Sequence, residues 1–234
     1  QNTTSFGLTP CPKWNPNGTT IAGNSSGLKG NDTSSLDRPI GIFVDVSDNN
    51  ALYVADHENS RLMKFNRSQH QDQGEAIVPS GIISAESVFL DREKSIYVAG
   101  GGKVMKVIVS GVGETILDGE TEGEIGFHEL SMTLYGIVVD SNDSLYISDG
   151  SYHRVVKWEK NSTNGTLIAG VTGEYGDDST HLDFPHGIYV DFDYDALYVA
   201  DINNNRIQRF HPIGNLTGET VAGGNGHGNG LGQF

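Results

Sequence analysis

The sequence predicts an all-β protein, a β-propeller built from four-stranded antiparallel blades. Three observations predict it. First, the block His186–Phe210 (HGIYVDFDYDALYVADINNNRIQRF) reads as three short strands broken by Asp/Asn turns, the composition of strands and hairpins. Second, the block recurs, and its first-strand aspartates Asp45, Asp91, Asp140 and Asp191 are spaced by 46, 49 and 51 residues, the period of a blade array. Third, in Leu197–Asp201 (LYVAD) Leu197 and Val199 face one way and Tyr198 and Ala200 the other. Such a sheet is apolar on both faces and needs a neighbour on each side.

The elements follow in chain order. Residues 1–16 carry Pro10-Cys11-Pro12 and Asn15-Pro16 and read as an extended leader. The repeat region then spans 17–234. Thr19–Gly23 (TTIAG) matches the fourth strand of a unit but has no three strands before it. Residues 24–38 form a polar loop. Unit one, about 39–80, holds GIFVD, LYVAD and RLMKF, then Glu75–Pro79. Unit two, about 81–127, is a weaker copy with Val88–Asp91, Ile96–Gly100, Lys103–Val107 and Glu114–Asp118. Unit three, about 128–180, has GIVVD, LYISD, RVVKW and Thr166–Gly170. Unit four, about 181–223, ends in Glu219–Gly223, and 224–234 resembles the lead-in to a further repeat. Five fourth strands thus face four three-strand sets, a surplus outer strand. Either more blades follow in a longer parent as part of a six-bladed ring, or a neighbouring copy completes the ends head to tail, or four blades close alone.

Composition narrows the partners. The chain holds 18 asparagines, and nine of them (Asn2, Asn17, Asn24, Asn31, Asn66, Asn142, Asn161, Asn164 and Asn215) begin N-x-[ST]. Chance would give about three at this Ser/Thr content, so the excess predicts a secreted protein bearing N-linked glycans. A first residue Gln1 rather than Met agrees with a removed signal peptide. Asn17, Asn66, Asn161, Asn164 and Asn215 fall at the predicted outer hairpins, where a glycan has room. The net charge of −15 argues against nucleic acid and anionic membrane as partners. No apolar run approaches the ~20 residues of a membrane span. Cys11 is the sole cysteine, expected either as a free thiol or in a disulfide to another chain or to a segment outside this sequence.

The units resemble NHL repeats, with the pattern P-x-G-[IV]-x-V-D, L-Y-V-A-D and N-R-[IV]-x-x-F. Unit four carries Pro185, Gly187, Asp191, Leu197–Asp201, Asn205, Arg206 and Phe210. Units one and three match well. Unit two departs: Glu86 stands for the glycine, Gly100-Gly101-Gly102 for the Asp-containing turn and Lys103 for the arginine. The resemblance covers about 17–234 and implies a propeller, usually of six blades.

Little of the sequence reads as catalytic. Asp45, Asp56, Asp140, Asp149, Asp191 and Asp201 recur at strand ends, where a carboxylate accepts local N–H groups. Arg61, Arg154 and Arg206 are expected to tie blades together. The run Asp191–Asp195 offers a weak Ca²⁺ possibility, but Ala196 and Ile202 stand where a Ca²⁺ loop needs Gly and Glu. Some propellers of this kind are lyases with axial histidines. Here the axial positions are Ile40, Tyr135, His186 and the Glu86–Ser87 pair, while His57, His128, His153 and His181 share no repeat position. No metal set, cofactor site or catalytic residue is assigned. The expectation is a secreted, non-catalytic binding or structural module whose partners are other proteins or itself, self-assembling head to tail into a filament or oligomer. The rival is an extracellular propeller enzyme, a metal-dependent lyase or lactonase.

Overall fold

A computed structural model of the chain describes residues 18–66, 73–77, 81–107, 113–119, 129–230 and 232–234. Cys11, Asn2, Asn17, His128 and the leader 1–16 lie outside the described residues. Among the described residues sixteen strands form four antiparallel sheets of four, each in sequential order. Blade one is β1 (Pro39–Asp45), β2 (Ala51–Asp56), β3 (Arg61–Phe65) and β4 (Glu75–Ile77). Blade two is β5 (Ala85–Leu90), β6 (Ile96–Gly100), β7 (Lys103–Val107) and β8 (Gly113–Asp118). Blade three is β9 (Leu134–Val139), β10 (Leu145–Asp149), β11 (Arg154–Trp158) and β12 (Gly165–Gly170). Blade four is β13 (Pro185–Asp191), β14 (Ala196–Asp201), β15 (Arg206–Phe210) and β16 (Glu219–Gly223). The predicted four-stranded blades are therefore present. No described helix is long and apolar enough to cross a membrane.

The two-faced strands account for the stacking. Each blade presents a trailing face that carries a Tyr of its second strand, with Ala beside it on the second strand of blades one and two and on the fourth strand of blade three. The next blade meets it with a leading face of Val, Leu and Met. Tyr53, Ala55 and Leu62 of blade one pack with Val88, Leu90, Val98 and Met105 of blade two. Tyr97, Ala99 and Val104 repeat this against Leu134, Ile137, Val139 and Ile147. Tyr146, Val155 and Ala169 do so against Val190, Leu197, Val199 and Phe210. Burial of this kind contributes about 25 cal/mol per Å² of apolar surface. Inner strands meet in the order β1, β5, β9 and β13, and among the described strands β13 makes no comparable contact with β1. The four blades form an arc with two end faces.

The turn chemistry is as expected. All four first-strand aspartates cap their own turns: Asp45 accepts from the Ser47 N–H (3.0 Å), Asp91 from Ser95 (2.8 Å), Asp140 from Asn142 (2.9 Å) and Asp191 from Tyr194 (3.1 Å). Lys94 reaches across from blade two to Asp45 (2.5 Å) and holds that carboxyl well below its usual range. The arginines tie blades through the connecting segments, as Arg154 and Arg206 do with the connection between blades three and four, and not sheet to sheet. Each pairs with the aspartate of its own blade and clamps the connection entering that blade. Arg61 donates to Asp56 (2.7 Å) and to the Asn31, Asp32 and Ser35 carbonyls. Arg206 does the same with Asp201 (2.7 Å) and the Asp177, Asp178 and His181 carbonyls. The fully buried Arg154 pairs with Asp149 and takes the Glu129 carbonyl.

The surplus outer strand is a correction. Thr19–Gly23 forms no strand, because a fourth strand needs a third strand beside it. The segment keeps its repeat conformation nonetheless: Gly23 has φ +81°, against +83° at Gly170 and +71° at Gly223. Ala22 and Leu36 pack onto Leu52, Val54, Met63 and Phe65 of blade one. Leu36 thereby takes the role that Ile82, Leu130 and Leu182 play between blades.

Candidate functional site

The inner strands converge on one mouth of the arc. Each carries a register break at the same repeat position, near Ile40 in β1, Glu86 in β5, Tyr135 in β9 and His186 in β13. A β-bulge re-aims the side chain it carries. The glycine that follows is required by the next blade. A Cβ on Gly41 would stand 2.5 Å from the Glu86 carbonyl oxygen, and one on Gly136 would stand 2.8 Å from that of His186. In blade two this position belongs to Ser87, which pairs with Ala99 as Gly136 pairs with Ser148. Glu86 therefore does not replace the glycine, as the repeat alignment suggested; it is the bulged residue, the counterpart of Tyr135 and His186.

These residues line a cavity of about 510 Å³ on the inner side of the arc. Glu86 is only 6% exposed. Its Oε1 lies 3.7 Å from His57 Nε2, and its Oε2 has no hydrogen-bond partner among the described residues. Burial pushes the Glu86 carboxyl up to about 7, against the smaller opposing pull of the Leu134 amide and the Arg38 charge. Arg38 itself pairs with Glu58 at 3.2 Å. Beside the carboxyl, the Tyr135 and His186 rings stack 3.6 Å apart at 16°, and Phe184 sits 5.5 Å from Tyr135 and 5.8 Å from His186. Burial lowers the His186 pKa, so the imidazole is neutral at pH 7, and burial with the Glu86 charge raises that of Tyr135, which stays a phenol. Phe184 is held at φ +57° and Arg38 at +54°, as Ser84 is at +51° at the same repeat position, a left-handed entry into the first strand of blades one, two and four.

The axial set predicted from sequence is thus brought together, with His57, Phe184 and Arg38 added. Those three lie just outside the strands; Arg38 and Phe184 share a repeat position with Ser84, but no residue type recurs there to mark it. His153 borders the site, accepting from the Phe184 N–H, whereas His181 lies elsewhere, paired with Asp178. Among the described residues no three His, Cys, Asp or Glu side chains cluster as a metal site. The Asp191–Asp195 run is a hairpin turn. Of the sequons, Asn31, Asn66, Asn142, Asn161, Asn164 and Asn215 are exposed and Asn24 is half-buried.

Comparison with known proteins bears on this repeat geometry. The family model described as NHL repeat matches residues 182–210, the block with the fullest motif. The chain is a β-propeller that carries an NHL repeat at residues 182–210. Solved structures agree on the propeller fold. A nidogen/laminin complex matches at TM-score 0.61 and 17% identity, covering 84% of this chain and 66% of that one. A gluconolactonase from Xanthomonas campestris matches at 0.59 and 13%, covering 76% and 59%. A streptogramin B lyase matches at 0.53 and 16%, covering 78% and 53%. The chain spans about half to two thirds of the length of these structures. They include enzymes and a binding protein, and at this identity they share a fold with it.

Proposed function

We propose that this chain is a secreted, N-glycosylated, non-catalytic module that binds other proteins and associates with its own copies through the two end faces of the arc. The observation that carries this reading is the state of the inner strands at those faces, since Leu52, Val54, Met63 and Phe65 on β2 and β3 are already covered by Ala22 and Leu36. On blade one, Ile42 is 65% exposed, while its repeat counterparts Val88 and Ile137 are each 4% exposed inside blade interfaces. On blade four, Tyr189 is 62% exposed, while its counterpart Val138 is 8% exposed. The leading face of one copy offers what the trailing face of another lacks, in the pairing already used three times within the chain. Such head-to-tail contacts generate closed rings where the rotation between copies closes and open chains where it does not. Glycans at the exposed Asn66, Asn161, Asn164 and Asn215 would sit on the outer hairpins, away from both faces.

Light scattering across a concentration series tests the reading. Mass rising in steps of one chain supports it. A stable monomer at high concentration overturns the self-assembling form. The lyase and gluconolactonase likeness motivates a second reading, an enzyme working at the axial mouth. That reading requires stoichiometric metal in the purified protein or turnover of a lactone.

A further inference from the structure

We propose that the axial mouth captures a basic side chain of a protein partner, an arginine first of all, with the guanidinium laid on the Tyr135–His186 stack and its N–H groups on the Glu86 carboxylate. Three independent observations converge on this chemistry. The first is the Glu86 carboxylate, on a residue 94% buried that lines the cavity, whose solvent-excluded Oε2 has no hydrogen-bond partner among the described residues. A buried acceptor left unmet is costly, and a charged donor meets it best. The second is the pair of nearly parallel rings beside it. A flat aromatic face suits a planar guanidinium better than a compact ammonium. The third is the charge of −15, which draws basic partners towards the chain and repels acidic ones.

The charges already around the mouth leave room for another cation. Arg38 lies at the rim with its charge engaged by Glu58. His57, from the turn after β2, approaches Glu86 only to 3.7 Å, and both Tyr135 on β9 and His186 on β13 are neutral at pH 7. A bound guanidinium favours the ionised carboxylate, so binding strengthens as the pH rises from 6 to 8. Ile42 and Tyr189 of the end faces also line this cavity, but the residues that would hold the guanidinium, Glu86, Tyr135 and His186, are not those used for self-assembly. A monomer in light scattering would leave it standing, and loss of arginine binding would leave assembly standing.

The test is an NMR titration of the protein with the peptide acetyl-Gly-Arg-Gly-amide, against the same peptide carrying citrulline, which keeps the shape and loses the charge. At pH 8 the arginine peptide is expected to bind tighter by roughly tenfold or more. Glu86→Gln should erase that preference, while its melting temperature at pH 5, where Glu86 is protonated, matches the parent. Tyr135→Leu should weaken the arginine peptide more than its lysine analogue. Equal binding of the arginine and citrulline peptides, binding of neither, or a preference retained in Glu86→Gln would overturn the proposal.

Discussion

The interfaces inside the arc and the faces at its ends are made of the same residues and differ only in what lies against them. Gly41 and Gly187 show this most simply. Both follow the bulge of an inner strand, yet a Cβ on Gly41 would run into the backbone of Glu86 and Ser87 at 2.5 and 2.8 Å, whereas one on Gly187 would meet nothing within 4 Å. The glycine is demanded by the neighbouring blade, not by its own. The repeat thus encodes a joint as well as a sheet, and blade four carries a joint with nothing docked on it. The hydrophobic residues say the same. Val44 is 44% exposed on blade one, while Leu90, Val139 and Val190 at its repeat position are each 5% exposed.

Substitutions at matched positions can break or sharpen this contrast. The largest effect is expected from Ile137→Asp, which puts a charge into the blade two–three interface and should cost about 3–5 kcal/mol in chemical denaturation. Ile42→Asp, at the same repeat position, should leave the monomer within about 1 kcal/mol of the parent and abolish its association. Next, Gly41→Ala should destabilise by about 1–3 kcal/mol through overpacking. Gly187→Ala should leave the monomer as stable or raise it by about 0.4–1 kcal/mol, and should block association by meeting the backbone of the next copy.

Titration of Glu86 ranks third. Its folded pKa of about 7 lies above that of an unfolded glutamate. Its stabilising contribution is therefore complete below the unfolded value and lost as pH rises through 7. The parent should be more stable at pH 5 than at pH 8 by on the order of 1–2 kcal/mol from this group, after allowance for solvent at the open mouth. Glu86→Gln should flatten that slope in melts across pH.

The smallest effect concerns the blade without the buried clamp. In blade two Lys103 pairs with Asp118 at 3.0 Å near the surface, where Arg154 and Asp149 are fully buried in blade three. Lys103→Ala should cost no more than about 1 kcal/mol. Nor can the clamp be restored by composition alone. A Cβ on Gly100 would stand 2.3 Å from the Ser84 carbonyl oxygen, so Gly100→Asp should lower the melting temperature rather than raise it.

Much of the fold was legible because each unit repeats its own punctuation. The aspartates at 45, 91, 140 and 191 both end a strand and cap the turn after it, so motif and structure coincide. Thr19–Gly23 misled because its residues specify a strand conformation while pairing depends on a partner strand that the described residues do not supply. Glu86 misled for a different reason. A bulge adds one residue to a strand, so reading the weak second unit by similarity slipped it by one. Counting back from Asp91 places Ser87 at the glycine position. The aromatic stack and the buried carboxyl were only half legible. Their inner-strand positions could be listed, but that Tyr135 meets His186 face to face depends on the angle between blades three and four. Arg38 and Phe184 do sit on the repeat period, seven residues before Asp45 and Asp191, but their residue types and that of His57 do not recur from unit to unit.

The most direct measurement is cross-linking between two singly labelled proteins, Ile42→Cys and Tyr189→Cys, each with Cys11→Ser, mixed and treated with a short bis-maleimide. The account predicts a cross-linked dimer in the mixture and little product from either protein alone, because leading face meets trailing face. Absence of the mixed dimer, or equal product from each protein by itself, would contradict head-to-tail association through the ends of the arc.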